Sequence, residues 1–391
     1  MKNLNDVEKS NLEDFNQDAS VEVVEPKKKK FGWIGMILLL AVIGVGIYLM
    51  FKITELLPGG GVKDLESVLK SMNIKYLIIS IVLAILIPLF VMVEYSIVSH
   101  AVTKSVRSRV IAKTTILGKY YDYITPFSTG GQPMQIHYLH KHNYDGAHAS
   151  AIIFIRYSVN IVCWLIVGIV LMIVGLGALS RIDNGGSRIF LLVAGIIGIT
   201  INLLLPLLVL IFVIAPKFAN KLTRFIVAVG MKLHIVKNPY TALKKAYKTV
   251  HDFRMCFRTI AKKPVHFVFL IILSIIEYLI TFSLPFFVMK SLTPIEWSQL
   301  FDVAGLNAFS TFAVSFIPTP GNAGGMEISS TLAFNTIAPG VSAYAVLIWR
   351  FFTYYIFILA GIFITIFDVI KKAVIAGKSR RIAKKTEQNN E

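Results

Sequence analysis

Six runs of apolar residues, at 31–51, 76–98, 149–176, 189–214, 266–289 and 342–370, dictate what this chain can fold into. Each approaches or exceeds the roughly 20 residues that a helix needs to cross about 30 Å of hydrocarbon. Hydrocarbon offers no partner to a backbone N–H or C=O, so a run that crosses it must satisfy those groups within itself, as a helix does. The expected fold class is therefore all-α, a polytopic membrane protein. Composition agrees: 55% of the 391 residues are hydrophobic, above the roughly 45–50% of an ordinary soluble domain. The first run follows Lys27, Lys28, Lys29 and Lys30 and has no small-residue cleavage site, so it reads as an anchor. Cys163 and Cys256 match neither a disulfide framework nor a metal site.

The basic residues set the orientation. With the N-terminus inside, segments 1–30, 99–148, 215–265 and 371–391 are cytoplasmic and hold 31 Lys and Arg, against 7 in the outer loops. Lys and Arg accumulate on the cytoplasmic side, which places both termini inside a cell membrane. The net charge of +18 then reads as attraction to anionic headgroups. The layout expected is a polar tail at 1–30, a membrane domain at 31–370 and a basic tail at 371–391. The domain divides into halves at about 31–176 and 189–370, with a basic cytoplasmic segment at 215–265.

Two segments, 114–148 and 300–340, are moderately apolar but broken by Pro and Gly, and each enters and leaves on one side in this topology. They read as re-entrant hairpins, tolerated at membrane depth only under cover of protein or a watery cavity. The first contains Thr125-Pro126-Phe127-Ser128-Thr129-Gly130-Gly131 and the second Thr319-Pro320-Gly321-Asn322-Ala323-Gly324-Gly325. Both read T-P-x-x-x-G-G, and the interval from Thr125 to Arg156 equals that from Thr319 to Arg350. Three spans lie between the motifs, an odd number, so the second copy is inverted. The expected architecture is six spans plus two re-entrant hairpins in an inverted repeat, a plan that places substrate near the midplane beside broken helices.

The motif residues have definite chemistry. Proline ends a helical leg, and paired glycines admit positive φ and close approach of another group. A helix starting after Gly131 or Gly325 would turn free N–H groups and its dipole toward the break, favouring an anion. Arg156 and Arg350 could offer that anion a bidentate fork. Glu94 and Glu277, each followed by Tyr in the span before a hairpin, could neutralise the arginines or carry a proton. The expected substrate site is Thr125, Pro126, Gly130, Gly131, Arg156, Thr319, Pro320, Gly324, Gly325 and Arg350, with Glu94 and Glu277. Ser128, Thr129, Asn307 and Asn322 would line the path. Tight turns between packed helices and snorkelling arginines are the plainer explanations of the same residues.

His137, His140, His142 and His148 cluster in the first hairpin, with only Asp145 interleaved. An interfacial segment accounts for them without a metal. Segment 215–265 has 12 Lys and Arg against Asp252 alone, with Leu243, Ala246, Tyr247, Val250, Phe253 and Phe257 at helical spacing. That pattern fits an amphipathic helix on the inner surface and needs no tRNA partner. No P-loop is present, and no cofactor is expected.

TPFSTGGQP, TPGNAGGME and Arg350 in the last run resemble the lysylphosphatidylglycerol synthase transmembrane region, the flippase-like domain family, over nearly all of 31–370. The resemblance implies movement of an anionic or aminoacylated phospholipid between leaflets. In bifunctional members a fused cytosolic domain transfers lysine from lysyl-tRNA to phosphatidylglycerol. Here only the short tail 371–391 follows the last run, so lysyl transfer would need a separate lipid-modifying transferase as partner. Stand-alone domains of similar kind imply a third role, as a scaffold for an enzyme of polyprenyl-phosphate glycolipids.

Overall fold

The computed structural model describes residues 64–214 except Asp183, residues 262–368, and isolated positions between 41 and 55 and between 224 and 258. Most of the run at 31–51, both tails and most of the basic segment at 215–265 lie outside the described residues. Among the described residues all the regular secondary structure is helical.

The helices are α1 (Leu65–Lys70), α2 (Ile74–Thr103), α3 (Ser108–Ile124), α4 (Gly131–Lys141), α5 (Gly146–Val174), α6 (Leu176–Ser180), α7 (Gly185–Ile214), α8 (Pro264–Leu292), α9 (Leu300–Val314), α10 (Gly325–Phe334) and α11 (Ser342–Arg350). A π-helical turn, Phe351–Tyr355, follows α11, and the helical run continues to Asp368. Five helices are long and apolar enough to cross a membrane: Ile74–Thr103, His148–Val174, Gly185–Leu204, Pro264–Leu292 and Ser342–Asp368. They match five of the six apolar runs.

The outer faces of these helices show what solvent they were selected for. On α2, Ile78, Val82, Ile85, Leu89 and Val93 are all exposed. Their spacing of three and four residues makes one continuous apolar stripe. A stripe of this size on a monomer in water would be a docking or aggregation surface; on a spanning helix it faces acyl chains.

Lipid-facing Leu and core Leu sit in equally apolar surroundings, so burial alone cannot fix how such helices pack. Close backbone contact and polar ties do so here. α2 lies along α8, and α9 packs against both α7 and α5. Asn307 on α9 donates to the Phe282 carbonyl of α8 at 3.1 Å, and Asn202 on α7 donates to the Ser315 hydroxyl at 2.7 Å. Around these ties Phe282, Phe286, Phe309, Phe312 and Phe334 are fully buried.

Where α5 ends against α9, a side chain would not fit. A Cβ built on Gly305 would lie 2.5 Å from Gly175 Cα and 2.6 Å from the Leu171 carbonyl oxygen. Both obstacles are backbone, so Gly305→Ala must push two helices apart, at roughly 1–3 kcal/mol for overpacking. Thermal unfolding in detergent should show an earlier transition for Gly305→Ala. Gly177→Ala, where an added Cβ meets nothing within 4 Å, should match the parent.

Between the long helices sit two shorter helix–turn–helix pairs. α3 and α4 fold back on each other around a turn at Pro126–Ser128, and α9 and α10 do so around Pro320–Asn322. The first pair starts at Ser108, ahead of the expected 114. At 1.5 Å per residue, the returning legs α4 and α10 reach only about 15–17 Å, half the hydrocarbon thickness.

Candidate functional site

The two T-P-x-x-x-G-G motifs have nearly the same backbone. Thr125 (φ −112°, ψ 146°) and Thr319 (φ −96°, ψ 149°) are extended, and each precedes a proline that opens a 3₁₀ turn. The next residue is left-handed in both: Phe127 at φ 55°, ψ 18° and Gly321 at φ 56°, ψ 28°. Ser128 and Asn322 are left-handed as well, at φ 51° and 56°. Left-handed backbone is costly for residues other than glycine, and its recurrence at equivalent positions shows that the motif encodes a shape. The copies part at the paired glycines, where Gly130 has φ −83° and Gly324 has φ 82°.

The turns pack against each other. Tyr354, fully buried, lies across the junction. Its hydroxyl is 3.0 Å from the Pro320 carbonyl in the second turn and 3.3 Å from that of Tyr123 at the end of α3, so it can bond on either side of the junction. In return, the Tyr123 hydroxyl donates to the Thr353 carbonyl at 2.9 Å. The π-helical turn after Arg350 carries Thr353, Tyr354 and Tyr355; such turns are frequent at functional sites.

The N–H groups beside the breaks bond to the chain's own oxygens. Gly130 N–H donates to Thr125 Oγ1 at 2.9 Å, and Gly131 N–H to Asp122 Oδ1 at 2.8 Å. Gly324 N–H donates to Glu327 Oε2 at 2.7 Å. Two carboxylates thus already sit where an incoming anion was expected, favoured there by the same helix-terminal field.

The charged side chains form two networks. In the first, Arg156 donates from Nε to Glu94 at 2.7 Å and from a terminal nitrogen to Glu277 at 3.2 Å. Its guanidinium stacks over the Tyr95 ring at 4.8 Å. Ser274 donates to the second oxygen of Glu94 at 2.8 Å, Asn160 donates to Glu277 at 3.2 Å, and the Tyr278 hydroxyl donates to Asn160. One arginine therefore holds a carboxylate from α2 and another from α8. In the second network Arg350 donates from Nε to Glu327 at 2.8 Å and from a terminal nitrogen to the Gly321 carbonyl at 3.3 Å. Its guanidinium lies 4.0 Å from the Tyr354 ring, and Tyr355 donates to the same Glu327 oxygen at 3.2 Å. Both arginines and all three glutamates are buried, so these are desolvated pairs and not snorkelling side chains.

Glu277 does not reach Arg350; the acid there is Glu327, which falls just after the Gly324-Gly325 pair. Asp122, shortly before Thr125, is the other acid that the sequence does not single out. Asn307 sits in the core, bonded to α8. Thr129 is exposed and caps the Pro126 carbonyl at 3.1 Å, while Thr319 Oγ1 is buried with no partner. The His140 and His142 ring nitrogens lie 3.2 and 2.8 Å from backbone carbonyls. No group of three or more metal-ligating side chains converges among the described residues.

A cavity of about 70 Å³ adjoins the first network, lined by Lys119, Tyr123, Glu277, Tyr278, Thr281 and Thr353 among others. By the roughly 30 Å³ share of a water molecule in the liquid it has room for about two solvent molecules or a group the size of one phosphate. A wider cavity of about 320 Å³ lies away from the motif loops, beside Arg181, Asn184, Gln299, Asn335 and Thr336.

A family model described as the lysylphosphatidylglycerol synthase TM region matches residues 36–361. No curated protein and no solved structure matches the chain.

Proposed function

The chain belongs to the lysylphosphatidylglycerol synthase TM region family, and on that footing we propose that it is a flippase-like lipid translocase of the cell membrane. The substrate in this reading is an anionic or aminoacylated phospholipid. One observation carries the reading: two loops far apart in sequence share a backbone shape and meet, with a buried arginine network beside them. In this proposal the fold is six spans plus two re-entrant hairpins in an inverted repeat, with both termini cytoplasmic. The first pair then enters from the inner side and the second from the outer side.

The ion pairs supply the switch. A phosphodiester and a carboxylate compete for the same guanidinium fork. An anionic headgroup arriving at the junction exchanges with Glu327 at Arg350, and the freed Glu327 keeps the Gly324 N–H as partner. Because Arg350 also holds the Gly321 carbonyl, the exchange bears directly on the second motif loop. Arg156 offers the same exchange against Glu94 and Glu277.

Arg350→Gln tests this. A charge-assisted hydrogen bond contributes about 1.5–3 kcal/mol, so loss of the fork should slow headgroup appearance at the outer leaflet roughly tenfold to a hundredfold. The measurement is headgroup accessibility to a membrane-impermeant amine or periodate reagent, at matched expression. Unchanged accessibility in a well-expressed variant removes Arg350 from the site.

A further inference from the structure

The first network carries more charge than a structural tie between helices needs. Two carboxylates, Glu94 and Glu277, share one guanidinium. Lys119 supplies the second positive charge across the 70 Å³ cavity, with no ion pair or hydrogen bond of its own among the described residues. These four groups balance, and Asp122 beside Lys119 and Arg156 is a third acid, so the empty cluster has no surplus of positive charge. An anion entering adds one negative charge beside two buried carboxylates, where an uncompensated charge is strongly disfavoured.

The two carboxylates are not held alike. Glu94 is inaccessible to solvent and fixed on both oxygens, by Arg156 at 2.7 Å and Ser274 at 2.8 Å. Glu277 takes longer bonds, 3.2 Å from Arg156 and 3.2 Å from Asn160, both on one oxygen, and it borders the cavity. Of the two, Glu277 is the carboxylate more open to exchange with an incoming anion. The groups that face it are Glu94 and Tyr95 from α2, Lys119 and Asp122 from α3, Arg156, Asn160 and Cys163 from α5, Tyr278 beside it on α8, and Thr353 from the π-helical turn. Arg156 and Lys119 are the cations among them: Lys119 lines the cavity, and Arg156 reaches it only through Glu277.

We propose that anion binding in this cavity is coupled to proton uptake by Glu277, so that one phosphodiester and one proton enter the site together. The step is a simple protonation: the buffer acid in the surrounding solvent gives one proton to the Glu277 carboxylate and leaves as its conjugate base, Glu277 becomes the neutral acid, and the charge of the cluster returns to its empty value. This rests on the lipid-translocation reading and adds the ion that travels with the lipid. The shared ligand chemistry is a phosphodiester, whether borne by a lipid or free.

The test is calorimetry of the full chain in detergent, in two neutral buffers of different ionisation enthalpy, whose difference in heat counts protons bound with ligand. Phosphatidylglycerol is the lipid probe, glycerophosphoglycerol the same diester without acyl chains, and phosphatidylcholine the zwitterionic comparison. Linkage predicts uptake of about one proton per phosphatidylglycerol and none for phosphatidylcholine. Uptake with glycerophosphoglycerol as well supports the coupling and assigns it to the diester alone; uptake confined to phosphatidylglycerol supports it with the acyl chains required. Glu277→Gln should lower the count from about one to zero with lipid still bound. The wild-type comparison decides the matter even if that variant does not fold. Phosphatidylglycerol bound with no proton overturns the coupling and leaves lipid handling standing. Failure of both diesters to bind overturns the coupling and the anionic-lipid reading together.

Discussion

Arg156→Gln should be among the most destabilising single substitutions in the membrane domain. It leaves Glu94 and Glu277, both buried, facing each other with no guanidinium between them. Removing one partner of a buried ion pair costs about 3–5 kcal/mol, and here two carboxylates lose the same partner. Asn160 and Ser274 remain as donors, but neither carries charge. The expected result is an earlier thermal transition and a smaller monodisperse fraction after detergent extraction. The cost lies in the orphaned charges and not in lost volume, so a second change should reverse it. Arg156→Gln combined with Glu94→Gln and Glu277→Gln replaces the ionic cluster by neutral amides of similar size and should recover most of the lost stability. Lipid movement should not return in the triple variant, since the fork is gone. A triple variant as unstable as the single one would show that Arg156 acts through packing on Tyr95.

Hydrocarbon imposes one rule on every spanning segment, which makes the long helices plain in the sequence. Five apolar runs reappear as helices with limits within about five residues of those expected. The motif loops are legible because Pro and Gly act on the backbone locally, and a second copy in the other half doubles the signal. The pairing of charges is not legible. Glu94 and Glu277 both choose Arg156 because α2 and α8 lie side by side with α5 against them, a tertiary fact that no local pattern carries. An acid within the first turn of a helix is a common cap, and Glu327 fits that rule. The repeat hides it, because Pro133 occupies the equivalent place in the first motif. Asp122 does that capping in the first half from the opposite leg of the hairpin. The two halves thus reach a similar loop with different acids, and a search for matched residues finds the loop but misses the chemistry.

That difference sets up the sharpest contrast in the protein, between Gly321 and Phe127. They hold equivalent motif positions with almost the same left-handed backbone, yet their surroundings are opposite. Phe127 is 56% exposed, so its side chain has room and only the backbone is strained. A Cβ on Gly321 would lie 2.2 Å from a Tyr354 ring carbon, and Tyr354 can bond to the second loop or to the end of α3 while stacking on Arg350. Gly321→Val therefore combines about 1–3 kcal/mol of backbone strain with about 1–3 kcal/mol of overpacking, and it drives Tyr354 from the junction. Lipid movement should fall to background, and the reach of the Arg350 fork to the Gly321 carbonyl should be lost with it. Phe127→Gly relieves the same strain at a position whose side chain is mostly exposed, so it should keep or slightly raise the thermal transition. Measuring both variants side by side separates backbone shape from junction packing. If Gly321→Val moved lipid at the parental rate, the contact between the two loops would have no part in transport.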